Sequence, residues 1–489
     1  MTPAPADRRD RSVILTLLVA TFVVILNETI LNVALPKMML DLRVPAATAQ
    51  WLSTAFMLTM AVVIPITGFL LQRLTTRTVF LSAMALFSAG TLLAALAPGF
   101  GALLGARIVQ ASGTAMMLPL LITTVLTLIP PERRGVVMGN VSIVISVAPA
   151  IGPTLSGLVL QALSWRYLFL LVLPFALAAL VYGLRVLTNV GERRRARLDL
   201  LSVPLSALGF GGLVFALSRL GGAPGGLAQP QVWGPLAASG LLLGLFVWRQ
   251  LALIRVDAPL LDLRAFRFPQ FTLGVGLMMI AMLALFGAAI LLPLYLQNIR
   301  GLSPLGTGLL LLPGGLLMGL LAPAVGRLYD RFGPRWLVTG GTALLTLVLW
   351  QLGGIDAATP VGWLLALHMV LSLGLALIFT PVFTSSLNPL PAQLYSHGSA
   401  ILSSLQQVAG AAGTALLVTV MTGRTAALQH SGAPLGLAQV GGLHAAFGVA
   451  ALVSVLAVVC ALFVQRPRSQ EGAQPGGESA PLKTQPSHG

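Results

Sequence analysis

Charge is what this chain has least of. Of its 489 residues only 9% are charged, 13 of them are acidic, and just two, Lys37 and Lys483, are lysines. A soluble domain is about a quarter charged, so this sequence cannot cover a water-exposed globule of its own size and must lie mostly in a bilayer. The shortage of lysine removes a chemistry as well. Leu482 precedes Lys483, so no GxxxxGK[ST] phosphate loop can be drawn, which excludes ATP hydrolysis within the chain. Cysteine is nearly absent. Cys460 alone permits neither an internal disulfide nor a Cys-based metal site. The five histidines are scattered without a helical HxxxH pair, and there is no Ser/His/Asp set, no HExxH and no pair of acids. The expectation is a protein that is not an enzyme and has no metal and no cofactor.

What fills the sequence is apolar: 56% hydrophobic residues and a mean hydropathy of +0.92. A membrane-crossing helix needs about 20 apolar residues. Spans read near 13–35, 50–71, 78–98, 102–128, 136–160, 166–187, 200–219, 233–251, 271–296, 305–326, 335–354, 360–383, 399–422 and 443–465, fourteen in all. The first is too long for a signal-peptide core and carries Glu28 and Asn32. The net charge of +16 does not point to nucleic acid, because the arginines sit in short loops and not on one basic face. They alternate instead. Arg8, Arg9 and Arg11 precede the first span, Arg73 and Arg77 follow the second, Arg133 and Arg134 the fourth, and Arg193, Arg194, Arg195 and Arg197 the sixth. Arg327, Arg331 and Arg335 follow the tenth, and Arg466 and Arg468 the last. Excess positive charge marks the cytoplasmic side, so both termini are expected there. The tail beyond Arg468 is polar and rich in Gly, Pro and Ser, as disordered segments are.

Glu28 is the one carboxylate inside a long apolar segment. A lone acid in hydrocarbon is expensive and usually marks an ion or proton pathway. A repeat is also present: Gly68-Phe-Leu-Leu-Gln-Arg-Leu-Thr-Thr-Arg77 after the second span matches Gly326-Arg-Leu-Tyr-Asp-Arg-Phe-Gly-Pro-Arg335 after the tenth. Two six-helix halves follow from it, residues 13–187 and 271–465, joined by a 188–270 linker holding two extra spans and flanked by tails 1–12 and 466–489. Parallel repeats of this kind place a substrate site near the midplane between the halves.

These motifs resemble the major facilitator superfamily, and within it the fourteen-helix drug:proton antiporter branch, nearest the group named for lincomycin resistance. The fold implied is all-α and integral to the membrane. Asn27-Glu28-Thr29-Ile30-Leu31-Asn32-Val33-Ala34-Leu35-Pro36 resembles the first-helix motif, with Asn27 where the family usually has Asp. Arg107-Ile-Val-Gln110-Ala-Ser-Gly113 resembles the fourth-helix motif whose arginine is implicated in proton coupling. The stretch Ala148–Gly157, with Pro149, Gly152, Pro153 and Gly157, is similar to the motif that separates exporters from facilitators. Arg73 and Arg77, and in the second copy Gly326, Asp330, Arg331, Gly333 and Arg335, match the loop motif linked to gating. The first copy departs from it with Gln72 for the acid and Thr75 for the glycine, so a charged latch is expected mainly in the second copy.

The resemblance implies a bacterial inner-membrane exporter of drugs or secreted metabolites, an agent of multidrug efflux and antibiotic resistance, driven by a proton gradient. Its partners are a small-molecule substrate, protons and the bilayer, with no nucleic acid and no ATP, and a monomer is the family default. Glu28 and Arg107 are the expected proton-coupling pair. Trp51, Gln297, Asn298, His368 and Gln406 are substrate-site candidates by position alone. The rivals are a facilitator or proton symporter for uptake and a non-transporting membrane sensor.

Overall fold

The computed structural model describes residues 8–190, 199–220, 229–256 and 259–465. The Arg193–Arg197 cluster, most of the Gly/Pro loop after Leu220, the first seven residues and the tail from Arg466 lie outside them. Among the described residues there is no strand. Fourteen long helices carry the fold: α1 (Arg8–Leu42), α2 (Trp51–Arg73), α3 (Thr76–Ala95), α4 (Phe100–Leu128), α5 (Arg134–Ala162), α6 (Arg166–Val186), α7 (Ser202–Leu220), α8 (Pro230–Leu253), α9 (Pro269–Leu294), α10 (Pro304–Phe332), α11 (Pro334–Leu352), α12 (Val361–Leu387), α13 (Tyr395–His430) and α14 (Leu435–Ala461). Helices are the form such a sequence must take, because hydrocarbon offers no water to backbone N–H and C=O groups.

Thirteen of the fourteen are long and apolar enough to cross a membrane; α11 is not among them. Its 19 residues begin with Pro334 and Arg335, end near Gln351, and hold three threonines and two glycines. It is nonetheless packed into the bundle. Gly341 of α11 and Gly374 of α12 face each other so closely that a Cβ on Gly341 would lie 2.7 Å from the Gly374 carbonyl oxygen. Several helices overrun the apolar stretches that betray them. α13 runs from Tyr395 to His430 where apolarity alone suggests 399–422, since hydrogen bonding carries a helix past the hydrocarbon edge. Proline opens α8, α9, α10 and α11, where its missing N–H has no helical partner to lose. Gly333, at φ +81°, makes the left-handed turn between α10 and α11.

Packing divides the helices into two groups. α1 to α6 pack on one another, and α9 to α14 do the same in a matching pattern: α1 lies on α5 as α9 lies on α13. The groups meet along two seams, α5 against α10 and α2 against α13. α7 lies on both α2 and α13, and α8 lies mainly on α7. Small residues set these distances, as they do where helices associate in lipid. A Cβ on Gly113 of α4 would collide with the backbone of Ala83 and Phe87 in α3, whereas Gly340 of α11 faces open space.

Overpacking of this type costs about 1–3 kcal/mol. Gly113→Val is therefore expected to lower the thermal unfolding temperature of the detergent-solubilised protein by several degrees, and Gly340→Ala to leave it unchanged or slightly raised.

Candidate proton-coupling and gating site

Arg107 is the most deeply buried charged side chain among the described residues, 1% exposed at the side of α4 that meets α1 and α2. A guanidinium in such a place must be compensated. Its Nη1 donates to Asn27 Oδ1 in α1 at 3.3 Å and to Gln110 Oε1 one turn along α4 at 2.5 Å. Gln110 Nε2 in turn donates to Thr91 Oγ1 of α3 at 2.7 Å, and Thr91 donates to the Phe87 carbonyl. The Phe56 ring of α2 covers the guanidinium, with its centroid 4.0 Å from Cζ. Four helices thus hold one cation, and its Nε is buried without an acceptor.

Glu28 is not the direct hydrogen-bond partner of Arg107; Asn27 is. Glu28 stands one residue on, half-buried and within Coulombic range of Arg107. Asn27 faces α4, while Thr29 faces α5, where it fills the space left by Gly152. Glu28 stands between these two residues in the chain. Gly152 thus ties the glycine- and proline-rich stretch to α1, although Pro149 and Pro153 leave α5 unbroken from Arg134 to Ala162. Gly157 faces open space. Asn32 and Pro36 belong to α1, but their side chains lie outside the described residues.

The two loop motifs lie together at the Arg-rich end and lock the groups to each other. Asp330 of α10 accepts from the backbone N–H of Gly135 at 3.0 Å and of Val136 at 3.1 Å, the first turn of α5. A carboxylate there satisfies orphan donors and meets the positive end of the helix. In the first copy, Gln72 takes the corresponding place on α2. Its Nε2 lies 2.7 Å from His397 Nε2 and donates to the Gln393 carbonyl at 3.2 Å, at the start of α13. The glycines follow the same symmetry. A Cβ on Gly326 would collide with the Gly135 carbonyl, and one on Gly68 would lie 3.3 Å from the Ser396 carbonyl. Thr75, in place of the glycine, caps α3 by accepting from Thr78 N at 3.1 Å. Around these locks, Arg77 donates to the Leu184 carbonyl, and Arg73, Arg331 and Arg335 are exposed.

Arg134 is the centre of this end, and sequence reading assigned it only a part in orientation. It is 4% exposed and uses its whole fork. Nε donates to the Ile129 carbonyl, Nη2 to the Leu126 carbonyl and to Tyr395 Oη, and Nη1 to Asn388 Oδ1 at 2.8 Å. The Tyr395 ring centroid lies 5.1 Å from Cζ. Arg134 opens α5 after the turn Pro131–Arg133, and Tyr395 opens α13 after the turn Ala392–Leu394, so the two hold the same place in the two groups. That matched pair of Pro-led turns was the signal available in the sequence. Thr123 with Ser399, and Ser142 with Thr380, continue the contacts towards mid-depth.

The five substrate-site candidates are dispersed. Trp51 packs on Phe215 of α7, with centroids 5.9 Å apart. Gln297 and Asn298 are exposed in the π-helical turn Tyr295–Ile299. His368 Nε2 lies 3.0 Å from the Leu311 carbonyl, its ring over Gly314. Gln406 is 6% exposed and its Nε2 meets no acceptor. Among the described residues no hydrogen bond or ring contact joins one of these positions to another.

Helix caps contribute about 0.5–2 kcal/mol. Asp330→Ala is therefore expected to raise the ratio of open to closed Arg-rich end by about 2- to 30-fold, at about 1.4 kcal/mol per tenfold. Thiol labelling of a cysteine placed at Val136 reads this ratio, and Asp330→Asn is expected to fall between wild type and Asp330→Ala.

The profile of the Major Facilitator Superfamily matches residues 17–414. The chain is 41% identical over 464 residues to the lincomycin resistance protein LmrB of Bacillus subtilis (strain 168), covering 93% of this chain and 95% of that one. It is equally 41% identical, over 463 residues, to the lincomycin resistance protein LmrB of Listeria monocytogenes, covering 94% and 97%. Among solved structures it is similar to that of the human organic anion transporter MFSD10 (TETRAN), with a TM-score of 0.66 and 17% identity over 92% of this chain and 99% of that one. The chain has the all-helical fold of this family and is a multi-pass membrane transporter of small molecules, not an enzyme: it belongs to the Major Facilitator Superfamily.

Proposed function

We propose that the chain is a proton-coupled antiporter of the fourteen-helix drug:proton branch, exporting amphipathic drugs or secreted metabolites by alternating access. One observation carries the reading: the only carboxylate deep in α1, Glu28, lies in Coulombic range of the buried Arg107, in a chain 41% identical over 464 residues to a lincomycin resistance protein. Arg107 keeps its place through Asn27 and Gln110, which are neutral. Glu28 can therefore gain or lose a proton while the guanidinium stays where it is. Protonation from outside removes one negative charge beside Arg107 and biases one arrangement of the two groups. Substrate binding favours the deprotonated state, and the coupling is reciprocal, as linkage requires.

The alternation runs through the seams. The Arg-rich end is the cytoplasmic one by the positive-inside rule, with both termini on that side of a bacterial inner membrane and a monomer as the working unit. The locks of Asp330, Gln72 and Arg134 then close the cytoplasmic side, and their release opens it. α5 packs against α1 at Gly152, inside its exporter-type Gly/Pro stretch, and against α10 from Gly135 to Ala150, so a movement at Glu28 reaches the seam through one helix. Substrate recognition by apolar area with few fixed hydrogen bonds suits amphipathic molecules.

Inverted membrane vesicles containing wild type or Glu28→Gln test this, with ethidium and lincomycin as probes and the proton gradient present or collapsed. Gradient-dependent accumulation is expected in wild type, falling to the no-gradient level in Glu28→Gln. Undiminished proton-driven accumulation in the variant would remove Glu28 from the mechanism, and gradient-driven movement in the opposite direction would make the chain a symporter.

A further inference from the structure

The two inserted helices, α7 and α8, are tied to the rest of the molecule more tightly than a covalent linker requires. At the Arg-rich end, Asp199 accepts a two-pronged bond from Arg249 of α8, 2.7 Å from Nε and 2.6 Å from Nη2, and also accepts from the Ser202 hydroxyl at the head of α7. The Arg249 bonds hold the Asp199 carboxyl at about 2, below the usual carboxylate range. A depressed value means the clasp is fully present above about pH 4 and is lost only as pH falls through about 2. Beside it, Gln250 is fully buried. Its Nε2 donates to Ser202 Oγ at 2.8 Å, and its Oε1 accepts from the N–H of Leu260 and of Leu261 at 2.7 and 3.2 Å. Every polar atom of this buried amide but one hydrogen is thereby used, which is the condition for burying it without loss.

Leu260 and Leu261 begin a strap that ends at α9. The strap leans on the C-terminal group. Leu260, Leu261, Asp262 and Ala265 are all at most 2% exposed. Phe266 stacks edge-on with Phe271 of α9 at 5.4 Å, and Asp262 lies in Coulombic range of His397 on α13. Contacts with the N-terminal group are of a different kind. Gly211 of α7 lies against Val62, Phe215 against Trp51, and Leu261 against Gly68, all apolar and all on α2. Apolar surfaces in lipid slide past one another at little cost, because the lipid tails are as apolar as the side chains they replace. Buried hydrogen bonds to backbone N–H groups cannot be left unmade so cheaply.

We infer that the α7–α8 hairpin moves as part of the C-terminal group of helices, held by the Gln250 clasp and the 260–268 strap, and that α2 slides along α7 when the Arg-rich end opens. The hairpin is then a guide rail laid along the α2–α13 seam: α13 stays on it and α2 travels. This rests on the alternating-access reading above.

The test is distance measurement by pulsed electron spin resonance on the full chain in lipid nanodiscs, in a Cys460→Ser background. Spin labels go in pairs on three exposed positions: Leu251 of α8, Trp336 of α11 and Glu132 before α5. Conditions are varied by pH and by added ethidium. The Glu132–Trp336 distance is expected to change, the Leu251–Glu132 distance to change with it, and the Leu251–Trp336 distance to stay fixed. Gln250→Ala is expected to broaden the Leu251–Trp336 distribution while leaving the Glu132–Trp336 change in place. A fixed Leu251–Glu132 distance, or change in both distances from Leu251, would overturn the assignment of the hairpin. A Glu132–Trp336 distance that never changes would instead overturn the alternating-access reading, and the inference with it.

Discussion

The closeness of α5 and α10 is the constraint on which the rest of this molecule depends. Two helices can run this near each other only where side chains are missing, and here Gly135, Gly139, Gly315, Gly319 and Gly326 supply the gaps along the seam. Once the backbones are in contact, Asp330 of one group reaches the N-terminal amides of the other. A methyl group at Gly135 or Gly326 would hold the helices apart and strand that carboxylate. The gating motif and the small-residue stripe are thus one device: the glycines set the distance, and the acid uses it.

The same logic applies at Arg107 with the signs reversed. Arg107 is a permanent cation that hydrocarbon would reject, and it is kept by two neutral oxygens and an aromatic face. Because its direct partners are neutral, its position does not depend on the charge of any neighbour. That separates holding the cation from responding to it, the part that the proposed coupling gives to Glu28.

Much of the fold was legible because hydrocarbon imposes strict rules. Stretches of about 20 apolar residues located all fourteen long helices, α7 and α8 included. α11 shows the limit of that signal: its ends are polar and it is set in place by the Gly341–Gly374 approach, which only the fold reveals. At the site, Glu28 and Arg107 were conspicuous as charges in apolar surroundings. The direct role of Asn27 was not, because a neutral residue in the place of an acid reads as a loss until its oxygen is found on the guanidinium. Arg134 was hidden by its company: it is one of many loop arginines, set apart only by the matched Pro-led turns that precede it and Tyr395. Tyr395 was missed because its partner Arg134 is far away in the chain, and Gln250 because nothing in the sequence shows that its amide turns back onto the strap.

Arg134 and Tyr395 hold equivalent places in the two halves, and they touch each other. That has a consequence for how such a molecule could arise. Had the halves been identical copies, this point would have set guanidinium against guanidinium, or phenol against phenol; the first repels and the second leaves the Asn388 oxygen and the helix-end carbonyls without their donor. The contact works because the copies differ. A shared frame therefore closes here only with different residues in its two halves, a guanidinium in one and a phenol in the other.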